Sequence, residues 1–168
     1  IESKGIELII DPEIEEKIIE CDTGEIEKCI VNILGNAAKF TNSGGKIEII
    51  INEEDGFVNI RIRDNGIGID EKDIEAIFDR FGQAYNKKSE EFGGSGIGLS
   101  LSKQIIELHN GELLVNSKLG YGSEFTLRLP EELHQDIASY SNKHNISMNT
   151  LILNCIEYAM ANREEEDK

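Results

Sequence analysis

The sequence predicts an α+β protein, a two-layer α/β sandwich built on one mixed sheet, with a C-terminal two-helix extension. Segments that alternate apolar and polar residues, such as 57–63, follow segments with helical spacing, such as 26–37. A polar, glycine-rich stretch, 82–98, separates two groups that each combine a helix with two strands. With 168 residues, 39% of them hydrophobic, the chain is long enough for one ordinary domain and a small appendage.

The net charge limits which molecules the chain can bind, and the cysteine content indicates its redox compartment. The formal net charge of −16 repels nucleic acid and anionic membranes, so nucleic-acid binding is not expected. Cys21, Cys29 and Cys155 are odd in number and lack metal-ligand spacing, which predicts reduced, partly buried thiols. No apolar run approaches membrane length, so we expect a cytoplasmic chain, although the parent protein could be membrane-anchored. Because the chain begins at Ile1 rather than Met, we expect a fragment.

The first part of the chain predicts two short strands and an amphipathic helix. The strands are expected at 6–10 and 17–21, with a proline between them. Asp22 and Glu25 stand three apart in capping-box style, which predicts the start of the helix. Apolar residues at helical spacing form its expected core face: Ile26, Cys29, Ile30, Ile33 and Ala37.

A neighbouring face of the same helix carries polar residues. Asn32 and Asn36 are four apart, and Lys39 lies one turn further on. One interpretation is a pair of exposed amides, since a helix interior does not favour Asn. The alternative is a pair that holds a hydrated cation or a base edge, with Lys39 reaching phosphate.

The next segments predict a hairpin that ends in a glycine motif. Strands at 46–52 and 57–63 follow a loop at 42–45 and are joined by Glu54-Asp55-Gly56, a good hairpin turn. Asp64-Asn65-Gly66-Ile67-Gly68 ends the second strand. A carboxylate followed by two glycines allows the backbone to approach a flat or phosphorylated ligand, but a plain turn would have the same composition.

A short helix is expected at 70–78, followed by a mobile lid at 82–98. The glycine-rich run 93–99 ends this lid and opens a helix. Such a backbone offers N–H donors and a positive dipole end to phosphate, although a flexible linker would look similar. The residues expected to bury one face of this helix are Leu99, Ile105, Ile106 and Leu108.

The last strands of the body are expected at 112–116 and 124–129, around the turn 120–122. His109 precedes Asn110-Gly111 at the end of the preceding helix, where it is most simply a C-terminal capping cation.

Five motifs in this order resemble the catalytic and ATP-binding domain of sensor histidine kinases. The wider superfamily also contains gyrase, a heat-shock chaperone and mismatch-repair ATPases. The resemblance covers about 5–130, and we assign 1–130 to this domain, for which it implies the Bergerat ATP-binding fold. The matching segments are the N box at 32–41, the first glycine box at 64–68, the F box at 78–81, the second glycine box at 94–100 and the closing strand at 122–126.

The resemblance implies roles in binding the base and the metal. Asp64 would accept a hydrogen bond from the adenine amino group, with Gly68 and Thr126 helping through water. Asn32 would hold the Mg²⁺ that bridges the phosphates, and Asn36 would contact the nucleotide beside it. Mg²⁺ prefers oxygen ligands and keeps several waters, so an amide oxygen and phosphate oxygens suffice.

The resemblance also implies roles around the triphosphate. Lys39 is the expected phosphate cation, and Phe78 and Phe81 would anchor the near end of the lid. The remaining expected nucleotide-binding residues belong to the glycine boxes: Gly66, Gly94, Ser95, Gly96, Ile97, Gly98 and Leu99.

The activity that the resemblance implies is phosphoryl transfer in two-component signalling. The chain would bind Mg-ATP and donate the γ-phosphate to a histidine of a dimerising phosphoacceptor domain, with a response regulator as a further partner. Lys28 stands where ATP-hydrolysing members carry a glutamate, so strong hydrolysis by water is not expected. His109, His134 and His144 do not lie in the family's phosphoacceptor pattern, so the acceptor domain is expected before Ile1.

The tail, 131–168, predicts two helices with apolar stripes, separated by a break at 143–145. Such stripes must be buried, either against the kinase body or against another copy of the chain. With the strand 126–130, the tail resembles the ribbon-helix-helix fold of dimeric repressors and antitoxin-type proteins. The tail is acidic, which favours homodimerisation or packing over DNA binding. The alternative function is a non-enzymatic, nucleotide-regulated or DNA-binding module dimerised by this tail.

Overall fold

The computed structural model of the chain describes residues 4–13, 18–80, 96–131 and 143–161. These residues form a five-stranded sheet, a separate two-stranded sheet and three α-helices. The strands are β1 (Glu7–Pro12), β2 (Ile18–Asp22), β3 (Lys46–Glu54), β4 (Phe57–Asp64), β5 (Glu112–Lys118), β6 (Gly122–Pro130) and β7 (Lys143–Ser147). The helices are α1 (Thr23–Phe40), α2 (Gly98–Leu108) and α3 (Met148–Ala161).

The larger sheet has the order β1-β3-β4-β6-β5. β1 runs parallel to β3, and the other neighbours are antiparallel. Helices α1 and α2 pack on one face of this mixed sheet. The other face carries charged side chains, among them Arg63, which pairs with Glu124 at 2.6 Å and Glu48 at 3.4 Å. The predicted α+β two-layer sandwich is therefore confirmed.

The helix α1 begins as its sequence predicts. The Asp22 side chain accepts a hydrogen bond from the Glu25 backbone N–H at 3.2 Å, which satisfies one of the free donors of the first turn. At the other end, the Lys4 ammonium is placed where the helix dipole favours a cation. It donates at 2.9–3.2 Å to the carbonyl oxygens of Ala38, Lys39 and Thr41.

One hydrophobic core joins the sheet to all three α-helices. All five residues predicted for the inner face of α1 are buried, with exposures of 0–5%. The largest fully buried side chains are Ile26, Ile30, Ile33, Leu34, Ile47, Ile49, Ile51, Ile60, Ile62, Ile106 and Leu127. The cysteines Cys21, Cys29 and Cys155 are free and lie in this core, where burial raises each thiol pKa to about 12.

The tail contributes to the same core. β7 pairs with β2, and the predicted break at 143–145 is part of that strand. α3 packs against α1, and its buried residues are Leu151, Ile152, Cys155 and Ile156. These four residues of the apolar stripe are thus covered by the body of their own chain. The predicted first tail helix falls on 132–142, outside the described residues, and the domain division at Pro130 stays a prediction.

Two predictions of local structure are wrong. The segment 70–78 forms two short 3-10 helices, Glu71–Asp73 and Ala76–Phe78, rather than one helix. Only Ile77 within these two turns is buried, so no apolar face stabilises a longer helix. Leu108 is 68% exposed, because it lies two residues after the buried Ile106 and thus on nearly the opposite side of α2.

No helix in the described ranges is both long and apolar enough to cross a membrane.

Candidate functional site

The candidate site lies where α1 meets the two glycine boxes. At the C-terminal end of α1, the Phe40 carbonyl accepts a hydrogen bond from the Ile67 N–H at 3.2 Å, which joins the helix to the first glycine box. Midway along α1, Asn32 contacts the start of α2 at Gly98. The predicted motifs 32–41, 64–68 and 96–99 are therefore brought together around one helix.

Asp64 is a buried carboxylate at the end of β4. It is 7% exposed, and one carboxylate oxygen accepts a hydrogen bond from the Gly66 N–H at 2.8 Å. Burial raises the pKa of Asp64, while hydrogen bonds from the backbone of Gly66 and Ser123 partly offset this shift. A buried carboxylate whose partners in the described part of the chain are backbone N–H groups is suited to accepting a further hydrogen bond from a ligand.

Two positions of the first glycine box need glycine. A Cβ on Gly66 would collide with the carbonyl oxygen of Phe40. Gly68 has a φ of +67°, and a Cβ there would collide with the carbonyl oxygen of Lys118. The loop after Asp64 therefore packs directly on the end of α1 and on the turn that joins β5 and β6.

The polar residues of α1 share one face. Asn32, Asn36 and Lys39 follow one another at intervals of four and three, and all three are half-buried. The Asn32 side-chain Nδ2 donates to the Ser102 hydroxyl at 3.0 Å, so this residue is not the exposed amide of the first interpretation. Burial lowers the pKa of Lys39, whose ammonium lies 5.1 Å from the centre of the Phe40 ring.

The second glycine box opens α2. Gly96 has a φ of +64°, and α2 begins at Gly98. A Cβ on Gly98 would collide with Oδ1 of Asn32, so the two helices meet closely at this point. The N-cap residue, Ile97, has no side-chain oxygen that could accept from the first-turn N–H groups, and Leu99 packs against the core.

The F box lies beside α2. Phe78 packs against the core, and the Lys103 ammonium lies 5.1 Å from the centre of its ring. Phe81, Gly94 and Ser95 fall outside the described residues, as does the part of the predicted lid (82–98) that spans 82–95.

Thr126 lies away from Asp64 in the sheet. β6 alternates, with Ser123, Phe125 and Leu127 buried on the helix-facing side and Thr126 on the opposite side. Ser123 is the residue directly opposite Asp64 in the strand register, whereas Thr126 lies three residues, or about 10 Å, further along the strand. Ser123 is thus a candidate site residue that the sequence analysis did not name, although the inward direction of Phe125 indicates it.

His109 is the C-cap residue of α2, as its position predicted. Its Nε2 accepts a hydrogen bond from the Asp22 N–H at 3.3 Å, and its Nδ1 lies 2.8 Å from the carbonyl oxygen of Ile105. With Nε2 as the acceptor, Nδ1 is placed to donate to a carbonyl of the last turn of α2. His109 is 5% exposed and ties the end of α2 to the start of α1.

A cavity of about 140 Å³ lies at the C-terminal end of α1. Among the predicted site residues it contains only Lys39. Its lining residues are Lys4, Lys39, Phe40, Thr41, Asn42, Ser43 and Ile67.

The described residues contain no cluster of three or more His, Cys, Asp or Glu that could hold a metal ion. A metal at this site would therefore depend on amide oxygens of the protein and on oxygens of a bound ligand. Among the predicted residues, Asn32 and Asn36 offer such oxygens.

Residues 21–133 match the family described as histidine kinase-, DNA gyrase B-, and HSP90-like ATPase. The chain belongs to this ATPase family. The family resemblance of the sequence is thus confirmed, and this part of the chain is a nucleotide-binding domain of that family.

Individual relatives agree with this assignment. The autoinducer 2 sensor kinase/phosphatase LuxQ of Vibrio cholerae is 38% identical over 134 residues, which cover 77% of this chain and 16% of LuxQ. The catalytic domain of the histidine kinase ThkA is 26% identical with a TM-score of 0.68, covering 79% of this chain and 84% of that domain. Full-length ShkA in complex with AMPPNP is 28% identical with a TM-score of 0.69, covering 79% of this chain and 27% of ShkA. The chain spans 16–20% of the length of three curated relatives.

The end of the chain matches a second family. Residues 119–156 match the HicB family, so the two matches overlap at 119–133. The overlap includes β6, which is hydrogen-bonded to β4 on one side and β5 on the other. That strand therefore has no open edge with which to form a ribbon with a second copy.

Proposed function

We propose that the chain is the ATP-binding catalytic domain of a sensor histidine kinase. It binds Mg-ATP and positions the γ-phosphate for transfer to a histidine on a separate phosphoacceptor domain. The observation that carries this proposal is the buried Asp64 carboxylate, which lies at the end of a central strand beside a backbone that only glycine can form. Family membership and the likeness to ShkA, which was solved with AMPPNP, support the same ligand.

The adenine subsite is centred on Asp64. Its carboxylate accepts a hydrogen bond from the exocyclic amino group of the base, and Gly68 allows the loop to approach the ring. Ser123 takes the supporting role first expected of Thr126. Its hydroxyl lies 2.9 Å from that of Ser117, which in turn accepts from the Ile69 N–H at 2.8 Å, so a hydroxyl pair is already fixed beside the carboxylate.

The triphosphate lies between α1 and the start of α2. Asn32 and Asn36 face this region from α1, and Lys39 supplies the positive charge. Gly96 and Gly98 bring backbone N–H groups and the positive end of the α2 dipole close to the phosphates.

Mg²⁺ fits the donors that this site offers. It prefers hard oxygen ligands and is commonly bound by one or two protein oxygens together with substrate phosphates. Asn32 supplies a carboxamide oxygen that is held next to the N-terminus of α2. A bound Mg²⁺ would supply positive charge against the phosphates, while the residues of the site fix the direction of the γ-phosphate.

Water is a poor acceptor in this site. Lys28 occupies the position of the glutamate base in ATP-hydrolysing relatives. Its ammonium is exposed and pairs with Glu25 at 2.6 Å, so it offers no carboxylate that could activate water.

The phosphoacceptor domain docks on the outer face of α2. Ile97, Leu101 and Leu108 lie on one side of this helix and are 42%, 49% and 68% exposed. We place dimerisation of the parent protein in the acceptor domain, because α3 buries its apolar face within its own chain. A response regulator then receives the phosphoryl group, and the chain acts in the cytoplasm.

To test this proposal, the chain is incubated with γ-labelled ATP, Mg²⁺ and a separate acceptor-histidine domain. We expect acid-labile label on the acceptor and little free phosphate when the acceptor is left out. Asp64→Asn should abolish transfer, whereas Asp70→Asn, which changes a more exposed carboxylate that caps a short turn, should not. ATP binding without transfer to any acceptor would favour a regulatory nucleotide module instead.

A further inference from the structure

The Ser102 hydroxyl is a buried polar group for which the proposed function has no role. Ser102 is 3% exposed on the inner side of α2. Its hydroxyl oxygen accepts from Asn32 Nδ2 at 3.0 Å, and its carbonyl oxygen accepts from the Cys29 thiol at 3.7 Å. Both contacts cross from α2 to α1, so they fix the two helices of the candidate site against each other.

In the contact with Ser102, the Asn32 carboxamide is held with its NH₂ group on the hydroxyl. An amide presents either an oxygen, which binds cations, or an NH₂ group, which only donates. With Nδ2 directed at Ser102, Oδ1 is the Asn32 atom nearest to the position that a Cβ on Gly98 would occupy. A rotation of the amide by half a turn would place the NH₂ group where a metal needs an oxygen.

The neighbouring serine of the same helix behaves differently. Ser100 is 5% exposed, and its hydroxyl donates to the Ile97 carbonyl at 2.8 Å, a bond within its own helix end. Ser102 instead reaches the side chain on α1. Removing the Ser102 hydroxyl would therefore leave Nδ2 of Asn32 without this acceptor, while removing that of Ser100 would leave Asn32 unchanged.

We infer that Ser102 is a positioning residue for the metal subsite, whose hydroxyl holds the Asn32 carboxamide so that Oδ1 would be available as a ligand to a bound Mg²⁺. The inference rests on the proposed function. Gly98 completes the arrangement, because a side chain at that position would occupy the space of Oδ1. Ser102 acts through Asn32 and does not itself contact the nucleotide.

The test compares Ser102→Ala with the matched control Ser100→Ala, using a fluorescent ATP analogue. Two quantities are measured for each variant: the Mg²⁺ concentration that gives half-maximal binding, and the affinity for the analogue in EDTA. For Ser102→Ala we expect the Mg²⁺ midpoint to rise about tenfold, as for one lost hydrogen bond, with the EDTA affinity unchanged within about twofold. Ser102→Thr keeps the hydroxyl and should restore the wild-type midpoint.

Three outcomes would overturn the inference. The first is a Mg²⁺ midpoint in Ser102→Ala equal to that of Ser100→Ala. The second is an equal loss of affinity with and without Mg²⁺, which would mean a general structural role. The third applies if Ser102→Ala does not fold. In that case, a folded Ser102→Thr protein whose Mg²⁺ midpoint is tenfold above that of the wild type would contradict the inference. A wild-type chain that binds no ATP analogue at all would instead overturn the proposed function together with the inference.

Discussion

Asp64 and Ser123 lie directly opposite each other at the ends of β4 and β6, and the Ser123 backbone hydrogen-bonds the Asp64 carboxylate. Both side chains face the helix layer and are less than 9% exposed. The two strands thus bring a desolvated charge and a hydroxyl to one end of the central sheet. A buried charge without an ionic partner costs stability, which is expected where a fold keeps an acceptor for a ligand.

Replacing Asp64 should lower the affinity for ATP without lowering the stability of the fold. Asp64→Asn exchanges one oxygen for an NH₂ group, which cannot accept from the adenine amino group and removes a charge-assisted hydrogen bond. We expect ATP affinity to fall at least about tenfold, since such bonds contribute roughly 1.5–3 kcal/mol. The melting temperature should stay equal or rise, because the variant no longer buries a charge. Titration calorimetry and thermal unfolding measure the two effects.

The control for this variant is Asp70→Asn. The Asp70 carboxylate accepts from the Lys72 N–H at 3.3 Å in an exposed hydrogen bond, away from the first glycine box. The Asp70→Asn variant should leave ATP affinity unchanged. An Asp64→Asn protein that keeps its affinity within a few-fold would show that the base is bound elsewhere.

Acidic pH should weaken binding and narrow the stability difference between wild type and Asp64→Asn. The pKa of Asp64 is raised in the folded state, so the native protein binds this proton more tightly than the unfolded chain does. The resulting stabilisation is present below the unfolded-state pKa and is lost as the pH rises through the folded-state pKa. The protonated carboxyl is also a weaker acceptor for adenine.

This pH dependence is tested by urea denaturation and by ATP binding from about pH 7 down to about pH 4, near the pKa of an unperturbed carboxyl. A difference in unfolding free energy that does not change with pH would contradict it.

Local patterns predicted most of the fold. The helical spacing of 26–37 identified the buried face of α1, because each of its apolar residues meets the sheet. The turn between β3 and β4 followed from Asp55-Gly56, whose φ values of 54° and 77° need residues that tolerate the left-handed region. In both cases the residues that determine the structure lie next to one another in the sequence.

The features that were missed depend on contacts between distant residues. The pairing of β2 with β7 joins segments more than a hundred residues apart, and no local pattern specifies such a partner. The same holds for the contact between Asn32 and Ser102, which requires the relative position of two helices. The expected role of Thr126 rests on the order of the family motifs. Which residues of β6 face the helices is instead determined by the alternation of the strand around the buried Phe125.

Two glycines near the candidate site should respond to alanine in opposite directions. Gly35 lies inside α1, and a Cβ there would meet nothing within 4 Å, so Gly35→Ala should stabilise the chain by about 0.5–1 kcal/mol. A Cβ on Gly66 would collide with the Phe40 backbone, so Gly66→Ala should destabilise the chain by about 2 kcal/mol, within the range for such clashes. Urea unfolding of both variants measures the difference. Equal effects would mean that the loop can move away from α1 at little cost.

The covering of α3 by its own chain predicts a stability effect and a solution mass. Ile152 is 1% exposed in the core shared with α1, so Ile152→Ala should cost roughly 2–4 kcal/mol. Leu153, next to it, is 52% exposed, so the matched variant Leu153→Ala should change stability by no more than about 0.5 kcal/mol. Light scattering should give the mass of a single chain for residues 1–168, because the apolar face of α3 needs no second copy. A dimer that becomes monomeric when the chain ends at Pro130 would instead mean that the tail pairs two chains, and that the packing of α3 on α1 is not its arrangement in solution.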